Sequence, residues 1–178
     1  MKRQFLLAGL GLALATGAMA QSATAPSGQA AATATAVTTA QQFVPIAAAS
    51  NMFEIESSRL ALQKSQSAGV KSFAQEMIDD HTKATKEMQA VLAKANLAAP
   101  AAMDARHQQM VTQLNSASGA QFDQAYMTMQ LQAHQEAVAL FTSYSQGGDN
   151  PDLKAFATKT LPTLKEHLAM VQKAQKGS

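Results

Sequence analysis

One histidine lies within a run of apolar residues whose spacing matches one face of a helix. His81 follows Met77 and Ile78 and precedes Ala84 and Met88, at steps of three and four residues. A buried imidazole needs a hydrogen-bond partner or a metal ion, because burying an unpaired polar group costs on the order of a few kcal/mol. What satisfies His81 is therefore the main chemical question that this sequence raises.

Three more ionisable residues occupy inward-facing positions, one on each of the other long helices predicted below. Counted along helices that rise about 1.5 Å per residue, all four side chains fall within roughly 6 Å of one level. One carboxylate and three imidazoles suit a single Zn²⁺, Cu²⁺ or Fe²⁺ ion. The candidate metal ligands are Glu54, His81, His134 and His167.

A second interpretation needs no metal, and the sequence by itself favours it. The same four side chains would satisfy one another in a buried hydrogen-bonded network that sets the register of Ala-rich helices. Under this interpretation, replacing His81 by alanine would leave the carboxylate of Glu54 without a hydrogen-bond partner. Asp80 is interpreted as a solvated charge, with a role in orienting the site as the alternative, and Asp123 as a charge near the start of its helix. Tyr126 could donate a hydrogen bond into the bundle.

Several other chemistries are disfavoured. Di-iron bundles use Glu-x-x-His pairs, and the sequence contains no such motif. It shows no nucleophile motif, phosphate loop or dinucleotide fingerprint, so no residue set argues for an enzyme. His107 is expected near the end of the bundle, far from the candidate site. The methionines are expected to fill the core rather than to bind Cu⁺.

The elements that must position these residues are helices. Ala, Gln, Leu, Met and Lys dominate from residue 40 onward, without the alternation of strands. Breaks at glycine, serine and proline divide this region into four long helices and one short one: 41–67, 70–96, 101–115, 120–146 and 151–176. The sequence therefore predicts an all-α, antiparallel, up-down-up-down four-helix bundle, with an extra short helix between the second and third long helices.

The helices carry motifs of a known family. The first long helix has F-E-I-E over 53–56 and L-A at 60–61, and the second has F-A-x-x-M-I-x-D-H-x-x-A over 73–84. The third has G-x-x-F-D-x-x-Y over 119–126 followed by His134, and the fourth has L-P-x-L-x-x-H-L over 161–168. This order and spacing resemble the secreted, ferritin-like domain-of-unknown-function family 4142. The resemblance implies a ferritin-like bundle exported from bacteria and implies no established activity.

The N-terminal region is predicted to lie outside the folded domain. Lys2 and Arg3 precede an apolar stretch, and A-M-A at 18–20 is typical of a cleavage site, so residues 1–20 are predicted to be a signal peptide. Residues 21–39 are predicted to be a disordered Ala/Thr/Ser-rich spacer, and residues 40–176 the bundle domain. We expect an exported, periplasmic protein without a transmembrane segment after cleavage, although extracellular or outer-membrane association stays open.

Charge argues against nucleic acid as a partner. The chain has 14 Lys+Arg and 12 Asp+Glu, and without Lys2 and Arg3 the count is 12 against 12. No basic tract remains for a phosphate backbone. A homo-oligomer is compatible with the sequence, and no other partner is indicated. The favoured function is a non-catalytic binding or stress-associated role; the alternative is a metal-binding or metal-dependent redox protein with Zn, Cu or Fe.

Overall fold

The computed structural model describes residues 36–176. This part of the chain folds into five helices and no strands. The helices are α1 Ala40–Lys64, α2 Ala68–Lys94, α3 Ala105–Ser116, α4 Gly119–Gly147 and α5 Pro151–Lys176. The predicted signal peptide and the spacer up to residue 35 lie outside the described residues.

Short polar side chains define where most of the helices begin. Thr39, Ser67, Asp104 and Asn150 each accept a hydrogen bond from the backbone N–H three residues on, which satisfies a donor that the first helical turn leaves free. Helix α4 ends at Gly147, one residue beyond the predicted end, and Gly148 follows with a φ of −60°. Glycine is required there for space, because a Cβ would lie 2.6 Å from the carbonyl oxygen of Tyr144.

Two helical hairpins form the bundle. Residues 65–67 join α1 to α2, and residues 148–150 join α4 to α5, so each pair runs antiparallel. Helix α1 also packs on α4, and α2 packs on α5. The α1–α4 pair is antiparallel as well, since Phe43 stacks on Tyr144 near one end and Ser58 meets Tyr126 toward the other.

The predicted all-α bundle with a short extra helix is confirmed, with one correction to the helix directions. The four long helices run up, down, down and up, because the connection between α2 and α4 returns the chain to the end where α2 began. Residues 95–104 cover part of that distance. Helix α3 covers the rest, with His107 beside Phe53 and Asn115 accepting a hydrogen bond from Lys64. Neighbouring long helices are nevertheless antiparallel throughout.

The interior consists of two apolar clusters with polar side chains between them. One cluster is built around Phe43, Phe141, Leu153 and Phe156. The other contains Phe53, Phe73, Met77, Phe122 and Tyr126. The buried side chains of Glu54, His81, His134 and His167 lie along the helices where the two clusters meet. The site is thus enclosed by all four long helices.

The packed region starts slightly before α1. The carbonyl of Val37 accepts a hydrogen bond from Ser143 Oγ at 3.1 Å, and that of Thr38 accepts one from the backbone N–H of Asp149 at 2.9 Å. These contacts extend the bundle into the last residues of the predicted spacer.

Across residues 36–176, none of the helices combines the length and the apolar character needed to cross a lipid bilayer.

Candidate metal centre

Three imidazoles meet at mid-height of the bundle. The ring centroids of His81, His134 and His167 lie 5.3–5.7 Å apart, and one nitrogen of each ring lies within 4.8 Å of the others. All three side chains are buried. They come from α2, α4 and α5, so residues distant in sequence form one compact group.

Asn51 on α1 determines which nitrogen of His81 carries the hydrogen. The Asn51 Nδ2 group donates to the backbone carbonyl of His81 at 3.0 Å, and a carbonyl can only accept. The Oδ1 atom of Asn51 therefore faces His81 Nδ1, at 2.7 Å. Since Oδ1 also only accepts, Nδ1 of His81 is the N–H nitrogen and Nε2 holds a lone pair.

The other two rings are oriented in the same way. His134 Nδ1 lies 2.9 Å from the backbone carbonyl of Gln130, one turn earlier on α4, and so must donate to it. His167 Nε2 lies 3.0 Å from a carboxylate oxygen of Asp80 on α2 and donates across the α2–α5 interface. The remaining nitrogens, His134 Nε2 and His167 Nδ1, are therefore lone-pair atoms.

Three lone pairs with no hydrogen between them thus belong to one buried group. His134 Nε2 and His167 Nδ1 are 3.4 Å apart, and neither has a hydrogen to donate to the other. Within residues 36–176, no group hydrogen-bonds to His81 Nε2. A metal held tetrahedrally at about 2.0–2.1 Å from two imidazole nitrogens keeps those nitrogens about 3.3–3.4 Å apart. The His134–His167 separation already matches that distance.

Burial keeps the rings of His81 and His167 neutral. Desolvation lowers the pKa of His81 well below 6.5, and the neighbouring His134 and His167 lower it further. Desolvation and His134 also lower the pKa of His167, against an opposing contribution from Asp80. Neutral imidazole is the form that binds a metal ion, so no proton has to be removed from these two rings at neutral pH.

Glu54 is buried near the histidines but on the opposite side of His134. Its Oε1 atom lies 3.7 Å from His134 Nδ1, the nitrogen already used toward Gln130. Its Oε2 atom has no hydrogen-bond partner in the described part of the chain, and burial raises the pKa of the carboxyl group. Glu54 therefore faces the back of one imidazole, and the predicted four-residue set becomes three histidines with a carboxyl group behind them.

The four side chains do not satisfy one another as the network interpretation expects. The partners of the histidines are Asn51, Gln130 and Asp80, all outside the predicted set. The carboxyl group of Glu54 lies against His134, so replacing His81 would not by itself remove a partner of Glu54.

Two other predictions about polar residues also need correction. Asp80 is half-exposed, with 39% of its side chain accessible, yet it is the hydrogen-bond partner of His167 rather than a free surface charge. His107 is buried at the level of Phe53, 5.5 Å from its ring, and not at the end of the bundle. The hydrogen bond predicted for Tyr126 is present, with Ser58 Oγ at 2.8 Å.

Asn51 and Gln130 were missed by reasoning from the sequence. A mid-helix asparagine is a detectable signal, because Asn is a poor helix former and lies here one turn before Glu54. Gln130 gives no such signal, since glutamine is common in helices. The group of Gln130 that accepts from His134 is its backbone carbonyl, which any residue would supply.

Comparisons with known proteins identify a family that matches this chain and two solved structures with a similar fold. A family model described as a domain of unknown function, DUF4142, matches residues 24–174. A solved structure of a DUF305 fragment from Deinococcus radiodurans superposes with a TM-score of 0.67 and 17% identity, covering 77% of this chain and 95% of that one. CopM in a Cu(II)-bound form superposes with a TM-score of 0.66 and 20% identity, covering 78% of this chain and 97% of that one. No curated protein matches. At these identities the two structures show a shared fold.

Proposed function

This chain belongs to the DUF4142 family, as its motifs predicted, and we propose that it binds one transition-metal ion, preferentially copper, through His81, His134 and His167. The family description assigns no activity, so the proposal depends on the chemistry of the site. It replaces the network interpretation that the sequence by itself favoured.

The observation that carries the proposal is the set of three inward lone pairs. Each ring donates its only N–H away from the group, to Asn51, to the carbonyl of Gln130 or to Asp80. In metal-binding histidines the other ring nitrogen almost always donates its N–H in this way, which fixes the tautomer and makes the binding nitrogen more basic. A purely structural cluster would instead place a donor between neighbouring acceptors, because unmatched buried acceptors cost free energy.

Copper is favoured over zinc and iron on two grounds. Affinity of a nitrogen site for divalent metals rises along the first row to a maximum at Cu²⁺, and imidazole suits copper well. CopM, whose fold is similar, is described in a Cu(II)-bound form. Zinc would also fit three imidazoles, so competition between the two metals is part of the test. When bound, copper would supply a one-electron redox couple as well as a Lewis acid.

We further propose that the site acts outside the cytoplasm, as a metal-holding protein in the periplasm. The support is the predicted signal peptide over residues 1–20. A buried site enclosed by four helices suits retention of an ion rather than fast exchange with solvent. The stress-associated role expected from the sequence would then be protection against excess metal.

The test compares His→Gln variants at four positions. The full chain, expressed without a histidine tag and without chelators, is analysed for metal content and titrated with Cu²⁺ and Zn²⁺ by calorimetry. We expect one copper per chain in the wild type and loss of that uptake in the variants at positions 81, 134 and 167. His107→Gln is the matched control, since His107 is equally buried but donates to Asp104 outside the group.

Two results would overturn the proposal. One is a wild-type protein that takes up no stoichiometric metal. The other is equal copper uptake by the wild type and the three variants. Stronger binding of Zn²⁺ than of Cu²⁺ in direct competition would keep the site and overturn its assignment to copper.

A further inference from the structure

Three protein ligands leave room on a metal ion for another. Zinc and copper sites with three histidines bind a fourth group from solution when a space adjoins the open position, and closed structural sites do not. What adjoins the three imidazoles therefore decides what the site can do. The following inference rests on the proposed metal site.

A small, partly open cavity lies next to the group, toward the end of the bundle that contains the start of α1. Its volume is ≈ 40 Å³, and both His81 and His167 form part of its wall. The rest of the wall is largely apolar and comes from all four long helices, including Ala47, Ala84, Ala137 and Phe141. Since one water needs about 10–15 Å³ on the same measure, the cavity holds a ligand of about two or three heavy atoms.

The opposite side of the group is closely packed. Met77 and Tyr126 are fully buried there, and the carboxyl group of Glu54 lies behind His134. The cavity thus lies on the side of the three rings away from these packed residues. Any ligand added to a metal at this site would be accommodated on that side.

The cavity adjoins an outer recess at the surface between α2 and α5. Asp80, Ala84, Thr160 and Thr163 line both the cavity and an outer recess of ≈ 70 Å³. At the recess, Lys159 Nζ bonds to Glu87 Oε2 at 2.9 Å, which links the two helices across the entrance.

Charge at the entrance is balanced. Lys83 and Lys159 face Asp80 and Glu87 around the outer recess. Two cations and two carboxylates give no strong selection for one sign of ligand charge. Size is therefore the main criterion that this passage applies, together with the ability of the ligand to bind a metal.

We propose that the passage between α2 and α5 admits one small exogenous ligand, neutral or singly charged and no larger than about three heavy atoms, to a metal bound by the three histidines. The protein would then bind such a molecule at the metal in addition to retaining the ion. Larger ligands are excluded by the apolar wall around Ala84 and Phe141.

Azide and imidazole serve as probes of this ligand size. The full chain loaded with Cu²⁺ is titrated with each, and binding is followed by the azide-to-copper absorption band and by the electron paramagnetic resonance spectrum. We expect azide, a linear molecule of three atoms, to bind, and imidazole, a five-membered ring, to leave the spectrum unchanged. This comparison needs no mutation.

Two variants narrow the passage from opposite walls. Ala84→Leu places a larger side chain on α2, and Thr160→Leu does so on α5. We expect azide affinity to fall at least about tenfold in either variant while copper content stays at the wild-type level. Ala90→Leu is the control, because Ala90 is exposed on α2, the helix of Ala84, and lies along another groove. If one narrowing variant fails to fold, the other carries the test.

The possible results separate this inference from the proposed function. Wild-type protein without copper uptake would overturn both. Full copper loading with no response to azide would overturn the ligand passage and leave the metal site in place. Equal azide affinity in the narrowed and control variants, or binding of imidazole as strong as that of azide, would also contradict the passage.

Discussion

At the scale of single residues, the chemistry of the site depends on where each imidazole sends its one N–H. His107 and His81 are both 6% exposed, and both use Nδ1 in a polar contact. His107, however, packs its ring against Phe53, whereas the ring of His81 lies 5.5–5.7 Å from two other imidazoles and its Nε2 has no hydrogen-bond partner among the described residues. Burial therefore does not distinguish the proposed metal ligand His81 from His107, and the proposal depends on the surroundings of the second nitrogen.

The outer hydrogen-bond partners should tune metal affinity. Asp80→Asn keeps an oxygen that accepts the N–H of His167 but removes the negative charge that makes His167 Nδ1 more basic. We expect copper affinity to fall by about 10- to 100-fold, the usual effect of changing such a partner. Competition titration measures the affinity. Asp79→Asn, at an exposed neighbouring carboxylate that bonds to Gln75, is the control and should bind as the wild type does. Equal affinities of both variants would show that Asp80 has no such role.

At the scale of elements, the site depends on the alignment of four helices and on the turns that set it. The α4–α5 turn places His134 and His167 at one level, because the two residues lie at similar distances from it. Asp149 in this turn accepts hydrogen bonds from Tyr144 OH at 2.9 Å and from the backbone N–H of Ala40 at 2.8 Å. The turn thus ties the start of α1 to the α4–α5 hairpin.

A change of one methyl group in this turn should be costly. In Gly148→Ala the new Cβ would lie 2.6 Å from the Tyr144 carbonyl oxygen and 2.8 Å from its ring, so backbone must move. We expect the free energy of unfolding to fall by about 1–3 kcal/mol. Gly69→Ala is the control: its nearest neighbour is Ser67 Oγ at 3.8 Å, and the change should stabilise α2 by about 0.5–1 kcal/mol. Urea denaturation followed by circular dichroism compares them, and equal stability of the two variants would contradict this account.

At the scale of the whole molecule, a polar layer interrupts an otherwise apolar interior. Burying three imidazoles and a carboxyl group between two hydrophobic clusters costs desolvation free energy, which hydrogen bonds to Asn51, Gln130 and Asp80 offset only in part. The metal-free protein therefore has a pH-dependent stability that its surface charges alone would not produce.

That dependence has a definite sign. The folded pKa values of His81 and His167 are lowered, so as pH falls below about 6.5 the unfolded chain takes up protons first and the free energy of unfolding decreases. Glu54 changes the free energy of unfolding in the opposite direction. Its folded pKa is raised, so as pH falls the folded chain takes up this proton before the unfolded chain does. Since two imidazoles oppose one carboxyl group, we expect urea unfolding with chelator present to show lower stability at pH 5.5 than at pH 7.5.

The variant His81→Gln supplies the control for this dependence, since it removes the most strongly shifted imidazole. Its loss of stability between the two pH values should be smaller than that of the wild type. A variant with the same pH dependence as the wild type would show that His81 titrates in the folded protein as it does in the unfolded chain.

The sequence by itself determined the helices, the family and the height of the site. Periodicity and capping residues are local signals, so they place helix ends to within a few residues. His81, His134 and His167 each lie near the middle of a long helix, which keeps them at one level even though α4 and α5 run opposite to the predicted directions. The mid-bundle convergence of the histidines could therefore be predicted without the correct topology.

Only the tertiary structure decided what each polar side chain faces. A helical repeat assigns a residue to a broad face, but it cannot place Glu54 behind His134 rather than between the histidines. The N–H directions depend on Asn51 and Asp80, which contact the rings from other helices, 30 residues away from His81 in the first case and 87 away from His167 in the second. Such contacts are set by the packing of distant elements, and this packing is the basis for proposing a metal site rather than a hydrogen-bonded network of the same four residues.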